Sequence, residues 1–135
     1  MRYCIDTNIW IFLLSGRHPG LMRKLTEHSR DTIFVPSVVR AELMYGAFKS
    51  RDPQRKIDRV EAILRPFQTL YLDDRAAREY GRIRADLESA GEVIGGNDMM
   101  IAATSVSNDC ILITNNVGEF GRVAGLKIED WTEES

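Results

Sequence analysis

The stretch Cys110-Ile111-Leu112-Ile113 is apolar at every position. Side chains of a strand alternate between its two faces, so a run with no polar parity has to be covered on both sides. Such strands belong to parallel sheets sandwiched between helices. The rest of the sequence supplies matching pieces. Short apolar segments at residues 2–6, 32–35 and 69–72 read as further strands, and Ile128 lies in a candidate last edge strand. Helical periodicity fills the intervals at 8–14, 19–28, 38–49, 53–64, 73–90 and 98–106. Ser37 is the expected N-cap of the third helix, Asp73 or Asp74 caps the fifth, and Gly91 stops it. Gly95-Gly96-Asn97 reads as a loop. Met99-Met100-Ile101-Ala102-Ala103 is apolar all round, so its helix is expected to be largely buried. Strands alternating with helices give an α/β fold, a single domain with a central, mainly parallel sheet flanked by helices.

A length of 135 residues suits one domain, and 44% hydrophobic residues suffice for a core. The net charge of −2 points to no polyanionic partner, so contact with a nucleic acid would need local patches or bound cations. Cys4 and Cys110 sit in apolar runs without metal-ligand spacing and are expected to be buried, reduced thiols. His18 and His28 lie in a polar stretch and are expected at the surface; no zinc site and no His-based acid–base pair is visible. There is no signal-peptide pattern and no membrane-length apolar run, so the expected location is the cytoplasm.

Ligands of open parallel sheets bind beyond the carboxyl ends of the strands. Asp6 ends the first strand there, and Thr114-Asn115-Asn116, followed by Glu119, occupies the equivalent place after the run at 110–113. Asp98 opens the apolar helix, and Glu42 sits one turn past Val38-Val39. Taken singly, Asp98 can be a helix-dipole partner, Glu42 a solvated helix residue and Glu119 part of a surface turn. Taken together, Asp6, Glu42, Asp98 and Glu119 can converge at one sheet edge. Clustered carboxylates repel one another unless a cation offsets them. Hard ions such as Mg²⁺ or Mn²⁺ prefer carboxylate oxygens and retained waters.

The same residues carry a resemblance. Ile5-Asp6-Thr7-Asn8, Pro36-Ser37-Val38-Val39-Arg40-Ala41-Glu42-Leu43, Ile94-Gly95-Gly96-Asn97-Asp98-Met99 and Leu112-Ile113-Thr114-Asn115-Asn116-Val117-Gly118-Glu119-Phe120 resemble, in order, the four blocks of PIN-domain ribonucleases. The likeness is strongest to the VapC branch of toxin–antitoxin nucleases and covers residues 1–131, leaving 132–135 as a tail. It implies a PIN-like fold and a Mg²⁺-dependent endoribonuclease. Asp6, Glu42, Asp98 and Glu119 would be its metal-binding catalytic acids, and Thr7, Asn8 and Asn115 supporting hydrogen-bonding residues. The implied substrate is RNA, especially tRNA and, for some members, the anticodon region of initiator tRNA. The implied partners are a VapB-type antitoxin, a second toxin subunit within a larger toxin–antitoxin assembly, and operator DNA reached only through the antitoxin. Many PIN domains have Asp where this chain has Asn115-Asn116, so the fourth acid falls to Glu119, and one firmly held Mg²⁺ with a weaker second is expected.

Two basic stretches are candidate RNA contacts or plain solvated faces: Arg75, Arg78, Arg82 and Arg84, and Arg51, Arg55, Lys56 and Arg59. The apolar segment Trp10-Ile11-Phe12-Leu13 is expected to face the core in part and otherwise to form a groove or subunit contact. Two rival readings fit less of the chain. A phosphatase of the haloacid-dehalogenase type needs a second Asp where Asn8 stands. A receiver-like module needs a Lys that residues 112–120 lack.

Overall fold

A computed structural model describes residues 1–132. Strand β1 (Tyr3–Ile5) leads into helix α1 (Thr7–Ser15), which Gly16 ends in the left-handed conformation, at φ 71°. Helix α2 (Pro19–Glu27) has Pro in its first turn, where the missing N–H costs nothing. A short 3₁₀ turn (Arg30–Thr32) precedes β2 (Ile33–Pro36), and the amphipathic hairpin of α3 (Ser37–Phe48) and α4 (Pro53–Leu64) follows. Then come β3 (Gln68–Leu70), the long α5 (Asp74–Ser89) capped by the Asp73 carboxylate, and α6 (Gly96–Ser107). The chain continues through β4 (Ile111–Ile113), the single-turn α7 (Val117–Phe120) and β5 (Lys127–Glu129).

All strand pairings are parallel, in the order β3-β2-β1-β4-β5. This is the expected α/β architecture. β1 and β4, fully buried, occupy the centre. Because β2 and β3 lie to one side of β1 and β4 to the other, right-handed crossovers put α1–α4 on one face and α5 and α6 on the opposite face. Ile9, Trp10 and Leu13 of α1 fill the first layer, and Ile101, Ala102 and Ala103 of α6 the second.

Several expectations need correction. Ser37 is not an N-cap. Strand β2 runs on to Pro36, which takes the cap position itself, so Ser37 is already helical and its hydroxyl caps nothing. Gly96 and Asn97 are not loop: they form the first turn of α6, with Gly95 accepting the Met99 N–H at 2.9 Å. The first turn has free N–H groups in any helix, so a flexible Gly-Asn pair is tolerated there. His28 is only half at the surface, since its ring stacks on Trp131 at 4.6 Å and meets Tyr3 edge-on at 4.7 Å. His18 is exposed, as expected.

Cys4 and Cys110 are buried and unbridged. Contact with the Cys110 thiol, together with burial, pushes the Cys4 thiol well above its ordinary range. In α1, Trp10 and Leu13 face the core, Phe12 is half-buried and Ile11 is exposed. No helix among the described residues is long and apolar enough to cross a membrane. Of the tail at 132–135, residues 133–135 lie outside the described residues.

Candidate active site

The carboxyl edge of the sheet gathers the acids because each follows, or faces, the end of a central strand. Asp6 directly follows β1. Its backbone N–H still belongs to the sheet, donating to the Ile113 carbonyl at 2.9 Å, while its extended ψ of 155° turns the chain into α1. Its side chain is 4% exposed and satisfied at both oxygens. Oδ1 accepts the Thr7 N–H at 2.8 Å, and Oδ2 accepts the Thr114 hydroxyl at 2.8 Å. Burial pushes the Asp6 carboxyl above its ordinary range. The Thr114 and Thr7 hydrogen bonds pull it back, and the nearby charge of Glu42 adds to the rise.

The network continues in both directions. The Thr7 hydroxyl donates to Glu42 Oε1 at 2.6 Å, and Asn97 Nδ2 reaches Glu42 Oε2 at 3.4 Å. On the other side the Asn116 N–H donates to Thr114 Oγ1 at 3.0 Å, and Asn116 Nδ2 donates to Glu119 Oε2 at 3.2 Å. One chain of hydrogen bonds thus runs Asn97–Glu42–Thr7–Asp6–Thr114–Asn116–Glu119. Glu119 is not in an open turn, as the flanking glycines suggested. It is the third residue of α7, a helix far too short to persist alone. Phe120, fully buried, anchors that turn, worth about 1.5–3 kcal/mol for such a side chain.

Asp98 differs from the other three. It is half-buried in the first turn of α6, and among the described residues nothing donates a hydrogen bond to its carboxylate. Its pKa is raised to about 6, first by burial and then by the charges of Asp6, Glu42 and Glu119. These causes bring the four acids into one electrostatic neighbourhood. Among the described residues no three of them are drawn tightly enough to form a ready-made ligand cage, which their mutual repulsion makes understandable. The donors are all oxygen, with Asp98 uncommitted, and this suits a hard divalent cation held partly through water.

Of the supporting residues read from sequence, Thr7 is in the network. Asn8 and Asn115 are exposed and make no side-chain hydrogen bond to an acid among the described residues. Thr114, Asn116 and Asn97 do that work instead. The signal for Thr114 was present: like Asp6 it is polar and buried at the inner end of an apolar strand. The choice between Asn115 and Asn116 depends on how the chain leaves β4, which spacing does not reveal. Thr114→Val is expected to leave Asp6 Oδ2 and the Asn116 N–H without partners. The expected cost is about 1–3 kcal/mol of stability, the usual penalty for an orphaned buried polar group, read as a lower urea midpoint with an unchanged slope.

Known proteins resemble this chain over nearly its whole length. Residues 3–126 match the PIN domain family. The tRNA(fMet)-specific endonuclease VapC of Shigella flexneri is 37% identical, over 98% of this chain and 99% of its own. Ribonuclease VapC2 of Haemophilus influenzae is also 37% identical, over 97% and 98%. The fold superposes on the crystal structure of VapBC2 from Rickettsia felis bound to a DNA fragment from their promoter, with a TM-score of 0.92, 30% identity and coverage of 97% of this chain and 99% of that one. An acid-lined edge on this parallel sheet, with relatives of this likeness, makes the chain a PIN-domain ribonuclease of the VapC family.

Proposed function

We propose that this nuclease is the toxin of a toxin–antitoxin pair, and that it hydrolyses phosphodiesters of RNA, above all tRNA, at the Asp6–Glu42–Asp98–Glu119 edge with the help of Mg²⁺, which Mn²⁺ can replace. The observation that carries this reading is the continuous network. It fixes the carboxylates of Asp6, Glu42 and Glu119 through neutral donors and leaves that of Asp98 free. A structural cluster of surface acids has no need of such alignment.

Asp6 and Asp98 are the residues that would hold the cation, with Glu42 and Glu119 flanking it. Asp6 keeps a lone pair on each oxygen after its hydrogen bonds, and Asp98 keeps all of its own. When bound, a divalent ion supplies the positive charge that both the acids and the phosphate lack, and eases deprotonation of the attacking water. The chain's residues do the rest. Thr7 and Thr114 hold Asp6 in one orientation. Thr7 and Asn97 hold Glu42, and Asn116 holds Glu119, so the carboxylates flank a scissile phosphate without having to reorganise. Asp6 and Asp98 would hold one ion firmly. Glu119, on a longer side chain at the rim, supports a second only weakly or with substrate present.

The Shigella relative's name supports tRNA, and initiator tRNA in particular, as the substrate. The Rickettsia complex, VapBC2 bound to a promoter DNA fragment, supports assembly with a VapB-type antitoxin and operator DNA; our reading is that the antitoxin is the inhibitor and the part that meets the DNA, and that toxin subunits pair within the assembly. We place the protein in the cytoplasm, where tRNA is. The test is digestion of total bacterial tRNA by purified protein in Mg²⁺ or in EDTA. Discrete fragments in Mg²⁺ that vanish in EDTA are the expected result, and sequencing their ends names the RNA and the cut site. Cleavage that persists in EDTA would overturn the metal-assisted mechanism.

A further inference from the structure

The net charge of −2 conceals a strong division along the chain. Residues 17–65 hold eleven of the eighteen Lys and Arg but only six of the twenty Asp and Glu, whereas residues 66–135 hold six of the former and thirteen of the latter. The fold turns this sequence asymmetry into a spatial one. Segment 17–65 builds α2, α3 and α4, which lie on one face of the sheet; the acidic segment builds α5 and α6 on the other, together with α7 and β5.

Two depressions on the basic side concentrate the charge. A cleft of about 530 Å³ at the start of α2 is lined by Arg17, His18, Arg23 and Lys24 and by Trp131 and Thr132, with Glu27 its one acid among the described residues. A shallower one of about 210 Å³ at the α3–α4 turn is lined by Arg51, Arg55, Lys56 and Arg59, with Asp52 its one acid among the described residues. They adjoin the same element. The Arg59 guanidinium donates to the carbonyl of Leu14 at the end of α1, and Arg17 follows three residues later. The other end of α1 is Thr7, in the acid network. A nine-residue helix at 1.5 Å per residue makes that separation about 13 Å. Two arginines of α5 are different: Arg82 is paired with Glu79 and Asp86, and Arg84 with Glu88, while the Tyr80 hydroxyl also accepts from Arg84. Charges already balanced by their own helix have little left for a phosphate.

We propose that the face bearing Arg17, Arg23, Lys24, Arg51, Arg55 and Lys56 is the surface along which the sugar–phosphate backbone of the RNA lies while the sheet edge acts on it. This rests on the nuclease reading and deepens it by naming where the substrate is held. The acid edge by itself repels a polyanion, and an acidic protein offers no long-range attraction; this face supplies both attraction and orientation. Dispersed cations around open depressions match a backbone with charge at regular intervals. A peptide segment would call for one continuous groove lined by apolar side chains, whereas these are two separate depressions lined mostly by charged or polar ones.

The test measures binding of total bacterial tRNA in EDTA, where it stays intact, between about 50 and about 300 mM salt, the range in which counterion release dominates. Three variants are compared with wild type: R17S/R23S/K24S, R51S/R55S/K56S and, as control, R82S/R84S on α5, whose charges are already paired. Each basic-face variant is expected to bind at least about tenfold more weakly at low salt and to flatten the log–log salt slope by about 2, at roughly 0.7 for each phosphate no longer neutralised. The control is expected to match wild type. The positions are exposed or half-buried, and unchanged melting curves establish that folding is intact. Wild-type slopes in both triple variants, or a flattened slope in the control alone, overturn the proposal. If wild type cleaves tRNA with Mg²⁺ while the triple variants bind it normally and lose only a co-purifying antitoxin, the nuclease reading stands and the face belongs to the protein partner. Wild type that binds with a steep slope lost in the triple variants, but does not cleave, leaves this face standing and overturns the nuclease reading.

Discussion

Asp6→Asn is expected to lower cleavage by at least about 100-fold, the scale on which removal of a single preorganised charge-stabilising group is felt, while the chain stays folded. The geometry explains why these effects separate. The introduced carboxamide is nearly isosteric and can still accept the Thr7 N–H through its oxygen, as Asp6 Oδ1 does at 2.8 Å. Its NH₂ then faces Thr114 Oγ1, whose hydroxyl can rotate to accept. The substitution also removes a buried charge from beside Glu42, so much of the lost hydrogen bonding is offset. What cannot be replaced is the anionic oxygen, since an amide is a far poorer ligand for a hard cation. Cleavage of tRNA in Mg²⁺ measures the first effect and a urea titration the second. A variant that cuts at the wild-type rate would remove Asp6 from the active site.

Asp98→Asn is expected to make the metal-free protein more stable at neutral pH and at the same time inactive. The sign follows from linkage. In the folded protein Asp98 has a pKa of about 6, against an ordinary value of 3.8. The native state therefore holds this proton more tightly than the unfolded chain. Stability in EDTA must fall as pH rises from about 4 to about 6, because unfolding releases a proton across that window. Above about pH 6 the full penalty persists, since the native state then carries an unpaired charge beside three others. The amide side chain of the variant carries no charge. Its melting temperature in EDTA should therefore exceed that of wild type above about pH 6 and change less with pH below it. Mg²⁺ should raise the melting temperature of wild type and hardly that of the variant, because ligands that bind only the native state stabilise it. Melting curves at about pH 4.5 and about pH 7.5, with and without Mg²⁺, check all of this. A variant less stable than wild type at the higher pH in EDTA would show that Asp98 has a partner that stabilises its charge.

How far the sequence could be read depended on the kind of information each feature needs. The strands and long helices were legible because apolar periodicity and the residues Pro53, Asp73 and Gly91 report local preferences directly. Asp6 was legible because a carboxyl group at the end of an apolar strand has few bland explanations; Glu42, Asp98 and Glu119, each with a bland reading taken singly, stood out only as a set. What failed was finer. Ser37 looked like a cap because the chemistry was right, but the cap position depends on where β2 stops. Asn115 was preferred to Asn116 because nothing local says which of two adjacent amides turns toward Glu119. The bond from Asn97 to Glu42 joins α6 to α3 across 55 residues, and no single-sequence pattern encodes such a meeting. The division of charge between the two faces was present in the residue counts, but it became spatial only once the crossovers assigned each helix a side.

The hydrogen bond from Thr114 to Asp6 spans 108 positions, and Asn116 and Glu119 extend the same network still closer to the C-terminus. No N-terminal piece that stops short of Glu119 contains the whole proposed site, since Thr114, the hydroxyl partner of Asp6, and Glu119 are made late. A ribosome translating this message therefore carries a harmless polypeptide for nearly the whole of elongation. On the proposed reading, nuclease activity begins only after β4 has slid into place beside β1, near the end of synthesis.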